Sequence, residues 1–391
     1  MQTEQTEHWH VWIALQQVRR IGSKHVEVLQ SAFDGDLERA WNAPIGELSE
    51  LLGERLARNL EDTRRTFDLD STVAAVKKLG HSVIPYSDPR YPALLRETSA
   101  PPLVLYVLGD LAPEDETAVS VIGSRESTTY GRDVARQFSA DFAAAGVTVV
   151  SGLARGIDGV AHRSALERGG RTIAVLGGSL DWIYPSEHHG LARQIVNQGA
   201  LISEYPTRTR PVPGNFRARN RIMAGISIAV VIVEARVKSG TLITANYAAH
   251  YNRDVFAVPG GVFSDASEGC LQLLREGAGV ARSAADVLSD LNLDSVPAIH
   301  EPEIEEAIGD VERGILEKLG TDPVHIDDLA AELDLPIADV ATALMMLELI
   351  GRVRNAGSQH FGRVRSSDLT AGDGDFRVPG HLTARYFGFY C

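Results

Sequence analysis

Short apolar runs separated by polar, helix-forming stretches recur through the middle of the chain, and this alternation sets the fold class. Runs near 103–108, 118–122, 147–150, 171–176, 200–204, 228–233 and 255–258 are nearly all apolar, as expected for strands of a parallel sheet covered on both faces. Each is followed by a helical segment. With a helix around Val73 to Leu79 and the segment His81 to Tyr86 in front, the pattern predicts an α/β, doubly wound, mostly parallel sheet over 72–291.

On either side the period changes. Trp12, Leu15 and Val18 have helical spacing, Leu48, Leu51 and Leu52 extend an apolar face, and Ile21-Gly22-Ser23-Lys24 fits the turn of a helix-hairpin-helix (SAM-like) module. Residues 1–71 therefore read as a small N-terminal helical domain. Residues 292–310 carry prolines and glutamates and read as a linker. Beyond it, helices marked by Val311/Ile315/Leu319, Ile326/Leu329/Leu333 and Ile337/Val340/Leu344/Leu347 precede two short strands, Arg352-Val353-Arg354 and Arg363-Val364-Arg365. Three helices and a hairpin make a C-terminal winged helix, 311–366. The Gly- and Asp-rich tail 367–391 reads as disordered.

A chain of 391 residues has room for two or three domains. Cys270 and Cys391 cannot make a disulfide framework, and no Cys/His spacing suits a metal, so a reducing, cytoplasmic setting with no metal site is expected. The polar, acidic start Met1 to Glu7 is unlike a signal peptide. The longest uncharged apolar run, Ile222 to Val233, is too short to cross a bilayer, so no membrane insertion is expected. A formal charge of −14 argues against a protein that coats nucleic acid over its whole surface, yet it leaves room for a local basic site.

Such a site is written into three segments. One strand runs into Gly123-Ser124-Arg125, and the next into Ser151-Gly152-Leu153-Ala154-Arg155-Gly156-Ile157-Asp158. Small residues let a backbone approach a phosphate, amides at the turn and the following helix N-terminus point outward, and arginine adds a permanently charged fork. For one turn alone, glycines that merely make a tight bend are an equal reading; two turns with a remote arginine cluster favour an anion. That cluster is Arg208, Arg210, Arg217, Arg219 and Arg221, with Asn220, in a stretch from Tyr205 to Val233 free of acidic residues. Pro211, Pro213, Gly214, Asn215 and Phe216 lie among the arginines, which suggests a stiff loop presenting guanidinium groups beside an aromatic ring. Single-stranded nucleic acid suits it: arginines hold phosphates and a ring stacks an unpaired base. No Gly-x-Gly-x-x-Gly follows the first strand and no Gly-x-x-x-x-Gly-Lys-[Ser/Thr] loop is present, so neither a nicotinamide or flavin cofactor nor ATP consumption is expected.

Gly123-Ser124-Arg125 with Tyr130-Gly131, Ser151 to Asp158 with Ala161-His162, and Tyr184-Pro185 resemble the DNA-processing protein A (DprA/Smf) family. So do Ser203-Glu204-Tyr205-Pro206, Arg219-Asn220-Arg221, Ser239-Gly240-Thr241 and the run Phe256 to Gly260. The likeness is dense from about 80 to 290, and the flanking modules fit it. It implies an extended Rossmann-like domain that binds single-stranded DNA, forms a homodimer, protects incoming strands during natural transformation and loads the RecA recombinase, with single-strand-binding protein as a further partner. Carried over by position, Gly123, Ser124, Arg125, Gly152, Arg155, Phe216, Arg217, Arg219, Asn220, Arg221, Ser239, Gly240 and Thr241 would meet DNA, with no catalytic residue and no cofactor. Two positions depart from the family pattern. Arg217 stands where a proline is usual, adding charge to the site, and Leu271 stands where an asparagine is usual, removing an amide.

The rival reading is a Rossmann-like phosphoribohydrolase that cleaves nucleoside monophosphates, with Glu204 and Glu234, or Asp158 and His162, as acid and base. Ser239-Gly240-Thr241 lacks the Pro-Gly-Gly-x-Gly-Thr pattern of those hydrolases. For Asp158 and His162, a carboxylate favoured by a helix N-terminus and a hydrogen-bonded core histidine is the plainer account. The third winged-helix helix would present Ala338, Asp339, Ala341, Thr342 and Met345, a face without Lys or Arg. The module is thus expected to meet a protein, or DNA through its wing, rather than read a major groove.

Overall fold

The computed structural model describes residues 9–293, 309–320, 323–349, 352–357 and 359–363. Most of the 292–310 linker and all of the 367–391 tail lie outside these residues. The chain divides into two compact units, one up to Glu301 and one from Pro302.

In the first unit nine strands form one sheet: β1 (Ser82–Pro85), β2 (Val104–Gly109), β3 (Ala118–Ile122), β4 (Thr148–Ser151), β5 (Thr172–Val175), β6 (Gly199–Ser203), β7 (Ala229–Ile232), β8 (Asp254–Ala257) and β9 (Gly279–Val280). The order is β1-β2-β6-β5-β4-β3-β7-β8-β9. From β6 to β9 all neighbours are parallel, while β1–β2 and β2–β6 pair antiparallel. The chain therefore winds outward from β3 through β4, β5 and β6, then returns to the other side of β3 as β7. This is the doubly wound, mostly parallel sheet expected. β3 to β7 are buried at every residue, which is why their sequence is apolar without alternation.

Six helices precede the sheet: α1 (Trp9–Gln17), α2 (Ser23–Ala32), α3 (Leu37–Asn42), α4 (Ile45–Leu52), α5 (Glu54–Thr66) and α6 (Leu69–Leu79). The last starts where Asp68 accepts the Ser71 amide at 2.9 Å and ends at left-handed Gly80. Then follow α7 (Ala93–Arg96), α8 (Thr129–Ala144), α9 (Ile157–Glu167), α10 (His189–Gln198), α11 (Pro213–Ile226), α12 (Thr241–His250), α13 (Glu268–Arg275) and α14 (Ala284–Asp290). α8 and α9 cover one face of the sheet through Phe138, Phe142, Val160 and Ala165, and α11 and α12 cover the other through Ile222, Met223 and Ala245.

The N-terminal helices do not stand apart. Val11, Ile13, Leu15, Leu29, Leu48 and Leu60 share one core with Val83, Val104 and Tyr106 of β1 and β2 and with Leu191 and Ile195 of α10. Gln16 ties the two halves with polar bonds, donating to the Glu204 carbonyl and accepting from the Val104 amide.

The second unit holds α15 (Asp310–Lys318), β10 (Val324–His325), α16 (Ile326–Leu333), α17 (Ile337–Leu349), β11 (Val353–Gly357) and β12 (His360–Arg363), with strand order β10-β12-β11. Ile315, Leu329, Val340, Leu344 and Leu347 fill the core of this winged helix. α17 turns Ile337, Met345 and Met346 to solvent, together with Asp339 and Thr342, and no basic residue.

Leu15 is fully buried. Leu15→Ala should cost about 2–5 kcal/mol. Because helices and sheet share a core, tryptophan fluorescence and far-ultraviolet dichroism of wild type should lose signal at one common urea midpoint. Two separated transitions within the first unit would contradict this.

Candidate nucleic-acid interface

Reversal of winding direction between β3 and β7 leaves a crevice beyond the carboxyl ends of those strands, the position at which open α/β sheets bind ligands. A cavity of about 700 Å³ lies there. The turn after β3 (Gly123, Ser124, Arg125, Glu126) forms one wall, and Ala154 and Asp158 after β4 form the floor. The first turns of α11 and α12, with Arg236 and Lys238 before α12, complete it.

Two of the helix N-termini expected to offer amides to an anion are already occupied. Glu234, at the end of β7, accepts the Thr128 amide at 3.0 Å and the Thr128 hydroxyl, closing the start of α8. Gly131 makes room for it: a Cβ there would lie 2.2 Å from the Glu234 carboxyl carbon. At α9 the Ile157 amide bonds the Ser124 carbonyl at 3.2 Å, and Asp158 takes the amides of Ala154 and Gly152. Gly156, at φ 74°, permits this contact, since a Cβ would lie 2.2 Å from the Ser124 oxygen. The start of α12 also lines the cavity, at Ser239, Gly240 and Thr241, but its amides are taken as well: Ser239 Oγ accepts the Thr241 amide at 3.2 Å, and the Leu242 and Ile243 amides bond the Ser239 and Gly240 carbonyls, each at 3.2 Å.

The positive charge comes from arginines in different states. Arg219 is buried at 3% exposure, donates to the Val175 carbonyl, and leaves its Nε without a partner. Burial pulls its pKa down to about 10, which still leaves it charged at neutral pH; Asp158 opposes the fall and Arg125 adds to it. The guanidinium passes directly over Gly152, where a Cβ would lie 2.1 Å from it. Gly152 thus supports the site from behind, without lining the cavity. Arg125 is exposed, 5.2 Å over the Phe216 ring, and Arg217 is exposed on the cavity wall. Among the described residues no carboxylate pairs with either. Asn220 donates to the Gly240 carbonyl at 3.2 Å, joining α11 to the start of α12. Thr244, one turn into α12, has a buried hydroxyl without a partner among the described residues. An anion in this cavity would be met by Arg125 and Arg219, which repel each other in its absence.

The other sequence-selected residues lie elsewhere or act differently. Arg221 points away, paired with Glu204 and donating to the Ala100 carbonyl at 2.8 Å, so it holds α11 to the sheet instead of facing the cavity. Arg155 is exposed and pairs with Glu187 at 2.6 and 2.8 Å, beside a small recess that it shares with Arg125, Tyr184 and Phe216. Phe216 lines the cavity, but Arg125 covers its ring, Tyr184 meets it at 5.6 Å, and its edge faces Gly177. The ring open to a base is Tyr184, 45% exposed. Arg236 and Lys238 were missed because the acid-free stretch ends at Glu234; a basic pair just past an apolar strand was the available signal. Leu271 on α13 does not line the cavity.

The carboxylates and histidine weighed as acid and base do not converge. Glu204 and Glu234 serve the pairings above, outside the cavity. His162 is fully buried and uses both ring nitrogens: Nε2 accepts from the Leu153 amide at 3.3 Å, and Nδ1 meets the Thr172 hydroxyl at 2.7 Å. Thr172 gives its own proton to the Val149 carbonyl at 2.6 Å, so His162 donates from Nδ1. Desolvation depresses its pKa to about 3.

The family model described as DNA recombination-mediator protein A matches residues 82–292, and that of the DprA winged helix domain matches 300–357. The chain belongs to the DNA recombination-mediator protein A family. Protein Smf of Synechocystis sp. is 34% identical over 393 residues, covering 90% of this chain and 98% of the relative. The X-ray structure of the family member from Streptococcus pneumoniae superposes with a TM-score of 0.65 at 32% identity, covering 72% of this chain and 97% of that one. A Helicobacter pylori family member, whose structure concerns its single-stranded DNA binding mode, has a TM-score of 0.50 at 30% identity, covering 55% of this chain and 96% of the other.

His162 makes stability depend on pH with a definite sign. Its folded pKa lies below its ordinary value of 6.5, so the unfolded chain binds the proton first. Its contribution is complete above about pH 6.5 and is lost as pH falls toward about 3. Urea midpoints of wild type and His162→Gln should therefore converge between pH 7 and pH 5; a constant gap would contradict the assignment.

Proposed function

We propose that this protein binds single-stranded DNA in the switch-point cavity, with Arg125, Arg217, Arg219, Arg236 and Lys238 receiving phosphates. The observation that carries this reading is the pair Arg125 and Arg219: two cations set toward one cavity, one of them buried with a free Nε, while Asp158, the carboxylate that both feel, is held by the amides of Ala154 and Gly152. The single-strand binding studied in the Helicobacter pylori relative supports it. The protein carries out no chemistry on the strand, because Asp158, the one weighed acid at the cavity, is committed to backbone amides and Arg219. As the family resemblance implies, it works as a cytoplasmic homodimer that shields incoming strands during transformation and passes them to RecA, with single-strand-binding protein on the same strand. The winged helix, with its acid-bearing α17, serves a protein contact.

Affinity for single strands should fall steeply with salt and vary little with sequence, since several phosphates are neutralised. A flat salt titration overturns the reading. Arg125→Ala should weaken all sequences alike. Gly152→Ala should match Arg219→Ala in its loss, because the new methyl displaces the guanidinium. Nucleoside monophosphates incubated with the protein should yield no free base.

The RecA role has its own check. RecA's ATP hydrolysis on strands precoated with single-strand-binding protein should accelerate on adding this protein. No acceleration with the cognate RecA leaves strand protection without loading.

A further inference from the structure

Of the four tryptophans, Trp12 is buried, Trp9 and Trp41 pack against the helical core, and Trp182 alone is exposed, at 41%. It sits on the loop after β5, two residues before Tyr184. The Arg210 guanidinium lies 4.9 Å over its ring. Arg210 is exposed and, among the described residues, has no carboxylate partner; the next residue, Pro211, lines the cavity.

The pair is held in place from both sides. Ser179 donates its amide and its hydroxyl to the Thr209 carbonyl, each at 3.0 Å, and the Trp182 amide bonds the Ser179 carbonyl at 3.0 Å. Asp181 receives the Arg208 amide at 3.1 Å from each carboxylate oxygen. The two loops are thus clamped on both flanks of the Trp182–Arg210 contact, which spends an acid on a backbone amide and leaves Arg210 its charge. An exposed indole under a free guanidinium, beside a cavity ending in an exposed tyrosine, is the composition of a stacking platform for unpaired bases. Trp182 and Tyr184 are two residues apart, at most about 7 Å between α-carbons, within reach of successive bases on one strand.

We propose that Trp182 and Arg210 form a second single-strand subsite outside the cavity, in which a base stacks on the indole face opposite the guanidinium and Arg210 holds an adjoining phosphate. The proposal rests on the single-strand reading of the cavity. It makes affinity depend on strand length, because a strand that only fills the cavity does not reach Trp182.

The test compares wild type, Trp182→Ala, Trp182→Phe and Arg210→Ala on oligothymidylates of about 4 and about 16 nucleotides, a range that brackets common single-strand site sizes. Trp182→Ala should lose about tenfold on the long strand, the effect of one stacked base, and little on the short one. Trp182→Phe should recover most of that loss. Long strands should also quench tryptophan emission in wild type and in Arg210→Ala at saturation, but not in Trp182→Phe, a readout that a merely structural role would not produce. Equal long-strand affinity in wild type and Trp182→Ala, or undiminished quenching in Trp182→Phe, overturns the subsite while leaving cavity binding standing. Wild type that binds neither strand overturns the cavity reading and the subsite with it.

Discussion

A charged guanidinium almost wholly withdrawn from water is the constraint around which the carboxyl edge of this sheet is organised. Arg219 reaches the interior because Gly152 offers no side chain in its way, and it is tolerated because the Val175 carbonyl and the nearby Asp158 carboxylate offset part of its desolvation. Asp158 is in turn fixed by amides of the turn after β4, so that turn, α9 and α11 are held in one relation. What the arrangement leaves over is the unpartnered Nε and an exposed Arg125 close enough to be felt as a like charge.

Internal carboxylates decide which positive features stay available. Glu234 and the Ser124 carbonyl take the first amides of α8 and α9, Glu187 takes Arg155, and Glu204 takes Arg221. Among the described residues Arg125, Arg217 and Lys238 escape such pairing, and Arg236 has a loose contact with Glu126 at 3.7 Å. The charge of −14 and a cationic cavity are therefore compatible: acids are abundant, but placed where they close helices and brace loops.

The strands were legible in the sequence because complete burial removes polar residues from β3 to β7, and the turns were legible because glycine marks close approach. Arg219 and Arg221 look alike in one dimension, yet two residues along α11 is a rotation of roughly 200°, which sends one into the cavity and the other to Glu204. The closing of α8 by Glu234 joins positions more than a hundred residues apart, and local pattern carries no trace of such a contact. Phe216 lies in the cavity wall, but only the fold reveals that its ring is already covered. Arg236 and Lys238 were readable in principle, hidden behind the glutamate preceding them. The helical module was expected as a domain of its own up to residue 71; its leucines signalled burial without saying that the sheet would supply the other half of the core.

That shared core separates two things often taken as one, the segment that the family model matches and the segment that can exist alone. The model's match begins at residue 82, the first of β1, while the residues that share a core with Val83, Val104 and Tyr106 include Val11, Leu15 and Leu60. Cutting the chain there would bare one apolar end of the sheet and strip Gln16 from the backbone of Val104 and Glu204. In this protein the segment that the family model spans is smaller than the physical unit that buries its sheet.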